Sequence, residues 1–137
     1  MVPRRWQFNP HSGGRPVPEI VRATTRAAVL DHAEQHFTGR YREIDVRFRA
    51  QFCYVDAYLE PVAPPAGPAT LRTTQPEPDR ADVMELCRLR FFDRDRWSLA
   101  LYRYAHERYD PPAVFGNGEF FGPAVDGFDL AADLYLP

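Results

Sequence analysis

The sequence predicts an α+β domain: a single antiparallel sheet of four to five strands, with an N-terminal and a C-terminal helix packed on one face. Two observations carry that prediction. Arg42 to Leu59 and Met84 to Tyr104 alternate apolar with charged residues at period two, as strands with one buried and one wet face do. On either side, the stretches opening at Pro18 and Pro123 repeat apolar residues at spacings of three and four, the mark of a helix with one apolar stripe.

In chain order, residues 1–17 read as an irregular arm, because Asn9-Pro10 and Ser12-Gly13-Gly14 are turn formers. Pro18 suits a first helical position, and Glu19 lies near the positive end of the helix dipole. Ile20, Ala23, Ala27, Leu30, Ala33 and Phe37 then form the expected buried stripe, and Thr38-Gly39 ends the helix with a left-handed cap. Ile44, Val46 and Phe48 alternate with Asp45, Arg47 and Arg49. Beyond a tight connection at Ala50-Gln51, Cys53, Val55, Ala57 and Leu59 should face the core. Antiparallel pairing then puts Tyr54, Asp56 and Tyr58 beside Arg47 and Arg49. Residues 61–82 hold Pro64-Pro65, Gly67-Pro68 and Pro76-Glu77-Pro78 without any period, as expected of a Pro-rich loop inserted in a domain that spans 18–137.

A second hairpin follows. Cys87, Leu89 and Phe91 alternate with Arg88 and Arg90, Asp93 to Arg96 turns the chain, and Ala100, Tyr102 and Tyr104 share one side of the return strand. A short strand is expected at Ala113 to Phe115, leading through Gly116-Asn117-Gly118 into Glu119 to Phe121. Pro123 to Leu136 places Ala124, Phe128, Ala131, Ala132, Leu134 and Tyr135 at helical spacing, with Asp126, Asp129 and Asp133 outward.

At 137 residues, 45% apolar and 26% charged, the chain suffices for one domain with its own core. Two cysteines, Cys53 and Cys87, both lie within strand patterns, which fits buried thiols and no disulfide framework or zinc knuckle. No apolar run approaches the ~18 residues of a membrane span, and Met1 to Phe8 lacks the apolar core of a signal peptide, so a cytoplasmic location and no membrane partner are expected. All 17 basic residues are arginine. Without lysine there is no Schiff base, no pyridoxal-phosphate attachment and no P-loop lysine. Net charge is −2 but graded: +4 over residues 1–50, −2 over 51–110 and −4 over 111–137.

Few motifs point to chemistry. The helix–strands–helix order, with glycines before the last helix, resembles the layout of a double-stranded-RNA-binding domain. Asp126 and Asp129 stand where such a domain needs phosphate-binding cations, which argues against dsRNA. His32 and His36 share a helix face with Asp31 and Glu34 near, yet the His-Glu-x-x-His order is not met, and no metal site is assigned. Asp56, Glu85, His106 and Glu107 with Arg88 or Arg103 would furnish an acid–base pair and an anion clamp if they converged. No motif implies a cofactor.

The stretches Arg47 to Tyr58, Leu86 to Phe92, Arg96 to Tyr102 and the glycine-spaced Phe115 to Phe128 resemble a family of small uncharacterised bacterial proteins. The resemblance implies a bacterial, cytosolic origin and transfers no activity, cofactor or catalytic residue. The expected function therefore rests on one sheet face, with Arg47, Arg49, Tyr54, Tyr58, Arg88, Arg90, Tyr102 and Tyr104 as binding residues and Trp6 on the arm assisting. Arginine and tyrosine bring contact area together with directed hydrogen bonds. That face would engage a protein partner, a second copy, or single-stranded nucleic acid. The competing expectation is a small hydrolase or phosphate-acting enzyme using Asp56, His106 and nearby arginines.

Overall fold

In a computed structural model, the described residues are 12–59, 83–116 and 118–137. They form helix α1 (Glu19–His36), strands β1 (Glu43–Arg49), β2 (Phe52–Tyr58), β3 (Val83–Asp93), β4 (Arg96–Arg103), β5 (Arg108–Ala113) and β6 (Phe121–Gly122), and helix α2 (Ala124–Tyr135). The sheet is antiparallel in the order β1-β2-β3-β4-β5, with β6 also pairing β4. The two hairpins join through β2 and β3. The α+β class and the two helices are as the alternation and the 3–4 spacing require. The late strand differs: β5 ends at Ala113, where the sequence suggested a strand beginning, and β6 has two residues. Pro111 and Pro112 obscure β5 in the sequence. They fall where the β4–β5 register shifts, between the Leu101↔Asp110 and Leu99↔Ala113 pairs on an edge strand, the setting in which proline costs no ladder bond.

Both helices cover the face built from Ile44, Val46, Cys53, Val55, Ala57, Cys87, Leu89, Leu99 and Leu101. α2 lies over β3 and β4, and α1 lies along β1 and against α2. Gly127 permits the close approach of α2, since a Cβ there would stand 2.8 Å from Leu89 Cδ2 and 3.3 Å from Leu99 Cδ1. The stripe of α1 is a correction. Val21, Thr25, Val29 and Ala33 are its buried residues, whereas Ile20 is 66% and Leu30 39% exposed. Two apolar stripes about 100° apart compete on this helix, and the narrower valine and threonine stripe lets it sit nearer β1. His32 Nε2 meets Asp129 Oδ1 at 2.8 Å, and Phe37 packs edge-on to Phe128, tying α1 to α2.

Residues 12–17 contain no helix or strand, as expected of an irregular arm, yet they are pinned across the hairpin ends. The Arg15 amide donates to Phe91 O at 3.0 Å and the Val17 amide to Ala50 O at 3.1 Å, and Val17 is buried. Gly14, at φ +88°, comes so near that a Cβ would stand 2.6 Å from Phe91 O. Only glycine fits there.

Candidate binding face

On the side of the sheet away from the helices, the pairing registers set side chains in rows across the strands. At the hairpin-tip end one row runs Arg49–Phe52–Arg90–Ser98, and the next runs Arg47–Tyr54–Arg88–Ala100. Both alternate arginine with an aromatic ring, and directly paired side chains lie close enough to stack. Arg88 Cζ lies 4.7 Å and Arg90 Cζ 4.8 Å from the Phe52 centroid, and Arg47 Cζ lies 5.3 Å from that of Tyr54. Tyr109, reaching in from β5, takes Arg88 at 5.5 Å and meets Tyr54 at 5.7 Å. Small residues beneath make room for this layer, and Ser98 and Ala100 are buried although no helix lies above them.

Farther along the strands the charge reverses. The third row is Asp45–Asp56–Glu85, and the fourth is Glu43–Tyr58–Val83. Glu85 belongs to this face because of a bulge. Val55 pairs Cys87 but Asp56 pairs Glu85, so Leu86 is the extra residue, and odd-numbered Glu85 comes to share a side with even-numbered Arg88 and Arg90.

Arg47 stands at the seam between the two halves, with Nε 3.1 Å from Asp45 and Nη2 2.8 Å from Asp56. The Asp56 side chain is only 9% exposed, and its Oδ1 is the one buried side-chain polar atom among the described residues without a hydrogen-bond partner. Burial raises its pKa above the ordinary carboxylate value; Arg47 opposes that shift, while Glu85 and Asp45 add to it.

All the strand residues expected on the face are there. Arg49 is exposed, and Arg88 carries no ion pair among the described residues. Tyr58 lies beneath Arg42, whose Cζ is 5.9 Å from its ring. Tyr102 stacks between Tyr104 at 4.8 Å and Tyr109 at 5.0 Å. Tyr104 reaches the sheet end, donating its hydroxyl to Glu85 O at 2.7 Å and meeting Tyr135 edge-on. Burial pushes the Tyr104 phenol up to about 12. Trp6 and the loop 61–82 lie outside the described residues. Phe52 falls in the outward alternation with Tyr54, Asp56 and Tyr58 in the sequence but is not among the expected binding residues, and Tyr109 was missed altogether; the strand signal for Tyr109 was hidden by the prolines that follow it.

Of the acid–base constellation, Asp56 and Glu85 are neighbours across β2 and β3, but His106 is not joined to them. His106 Nδ1 is 2.9 Å from Asp110 Oδ2 in the β4–β5 hairpin, where Arg108 and Arg103 also approach the carboxylate at 3.0 and 3.9 Å. The His106 hydrogen bond leads in holding Asp110 below its ordinary pKa. Asp56 is engaged by Arg47 instead. His32 and His36 stack on each other at 4.3 Å, and no cluster of three or more His, Cys, Asp or Glu residues suited to a metal occurs among the described residues. Cys53 and Cys87 are fully buried free thiols, and burial pushes that of Cys53 up to about 12. Neither is disposed to act as a nucleophile. No described helix is long and apolar enough to cross a membrane.

No family model, curated protein or solved structure matches this chain.

Proposed function

We propose that the open sheet face is the functional surface of a binding module, and that its ligand is a protein. The observation that carries this reading is the occupancy of the two faces: α1 and α2 pack on one side of the sheet, while the other presents arginine–aromatic rows in which Arg49 and Arg88 make no ion pair among the described residues. Guanidinium groups held against rings are partly ordered already, so less side-chain entropy remains to be lost on docking. Protein fits better than single-stranded nucleic acid for two reasons. The rings of Phe52, Tyr54 and Tyr109 are taken up by arginines rather than open to bases, and four carboxylates on the same strands would repel a phosphate backbone.

The test compares the wild type with an Arg49→Ala, Arg88→Ala, Arg90→Ala variant in quantitative affinity capture, with melting curves confirming that both are folded. Arg47 is left in place because it neutralises Asp56. Partners retained by the wild type should be lost by the variant; identical captured sets would remove the proposal. Binding that falls log-linearly with salt and is competed by oligonucleotide would favour nucleic acid instead.

A further inference from the structure

We infer that the partner is a second copy of this chain, docked sheet to sheet about a two-fold axis that lies in the interface and runs across the strands. This inference rests on the binding reading above and specifies the ligand.

An isologous contact needs a patch complementary to itself, with every residue i that meets j answered by a j that meets i. Few charged surfaces meet that condition. The open face does, because over β1, β2 and β3 as far as Arg90 its charges number four of each sign and are sorted lengthwise: Arg47, Arg49, Arg88 and Arg90 toward the hairpin tips, and the carboxylates of the third and fourth rows toward the other end, while Asp93 and Arg96, paired across the β3–β4 turn, add one of each sign at the tip. Rotation about an axis in the plane and across the strands reverses strand direction, so the arginine end of each copy lands on the carboxylate end of the other. A two-fold along the strands would instead oppose like charges. From Glu43 to Arg49 the strand rises about 20 Å at ~3.4 Å per residue, roughly twice the screening length at physiological salt. The two ends are therefore felt separately.

Two further observations fit this pairing. Tyr58 lies in the fourth row of the carboxylate half and Tyr102 and Tyr104 continue beyond Ala100 in the same direction, where the partner's arginines would arrive, with Tyr102 between Tyr104 and Tyr109. The unpartnered Asp56 Oδ1 also lies in that half, leaving a buried acceptor that its own Arg47 does not satisfy.

The five-strand face spans about 19 Å across the strands by about 20 Å along them, on the order of 400 Å² in projection per copy. That is smaller than the roughly 800 Å² per partner of stable complexes, so dissociation constants of about 10–100 μM are expected.

Sedimentation equilibrium over about 5–500 μM tests the inference. The wild type should shift from 15.8 kDa toward twice that mass, and raising salt from about 0.1 M to about 1 M should weaken association at least about fivefold. Arg49→Glu with Arg88→Glu cancels the charge of the arginine end and leaves the other end acidic, and Glu43→Arg with Asp45→Arg cancels the charge of the carboxylate end and leaves the other end basic. Each variant alone should self-associate at least about tenfold more weakly, and mixing the two should restore a heterodimer. If either double variant fails to fold, Arg49→Gln and Glu43→Gln, both at exposed positions, should each weaken the dimer about threefold.

A wild type that stays monomeric at the highest concentration overturns the inference, as does a dimer indifferent to all these changes. Arginine-dependent capture of another protein by a monomeric wild type would refute only the second copy; loss of that dependence as well would refute the wider reading.

Discussion

The two faces of this sheet hide their inner atoms by different means. Against the helices, Cys53, Val55, Cys87 and Leu89 are covered by whole elements, with Phe128, Ala131 and Ala132 packed down on them. On the other side, Ser98 and Ala100 are also buried, but in rows whose neighbours are arginines set against aromatic rings. A covering element is fixed by the rest of the fold. A covering arginine can swing aside, so a face of this kind can be stable alone and still rearrange to accept a ligand.

If that contrast is right, truncation should be costly on the helix side and cheap on the other. Leu89→Ala should lose about 3 kcal/mol of unfolding free energy in urea titration, the transfer loss plus an unfilled cavity. A loss below about 1 kcal/mol would mean that the helices are not firmly seated. Gly14→Ala sets a Cβ against Phe91 O at a left-handed φ and should cost about 1–2 kcal/mol, with faster amide exchange at Arg15 and Val17 as the strap lifts. Arg47→Ala should cost about 1 kcal/mol, reduced from the penalty of a fully buried pair because Arg47 is 51% exposed. Adding Asp56→Asn should recover most of that loss, and a double-mutant cycle without coupling would place the seam elsewhere. Arg88→Ala should cost no more than about 0.5 kcal/mol, since its stacking is partly solvated.

The smallest effect is a pH slope. Asp56 has a raised pKa in the folded state, so the native protein holds its proton to higher pH than the unfolded chain does. Its contribution therefore favours folding as pH falls from the raised value toward 3.8, and is absent at neutral pH. Asp56→Asn should make the stability profile steeper on the acid side, because Asp110, whose pKa is lowered in the folded state, would then be unopposed. Parallel profiles for the two proteins would contradict the assigned shift.

The strands that alternate cleanly could be read directly from the sequence, and with them the side of the sheet on which Arg47, Tyr54, Arg88 and Tyr102 emerge. What escaped did so for local reasons. The phase of α1 was ambiguous because Ile20 and Leu30 mark one stripe while Val21 and Val29 mark another, and only the space available against β1 decides between them. Glu85 could not be assigned a face because period-two counting fails at a bulge, and bulges leave no reliable signal in a single sequence. Tyr109 was lost behind Pro111-Pro112, which demote a strand pattern unless the strand is known to lie at an edge. Stacking of arginine on rings follows once the register is known, whereas the sorting of charge into two halves emerges only when β1, β2 and β3 are laid side by side.

Cys53 and Cys87 sit on the two central strands that join the hairpins, both wholly shielded from solvent. Alkylating reagents can reach them only when the helices lift from the sheet or the strands part, so their modification rate clocks the opening of the core with no engineered label. Followed with and without the ligand of the polar face, that clock separates a ligand that merely rests on the surface from one that holds the molecule shut.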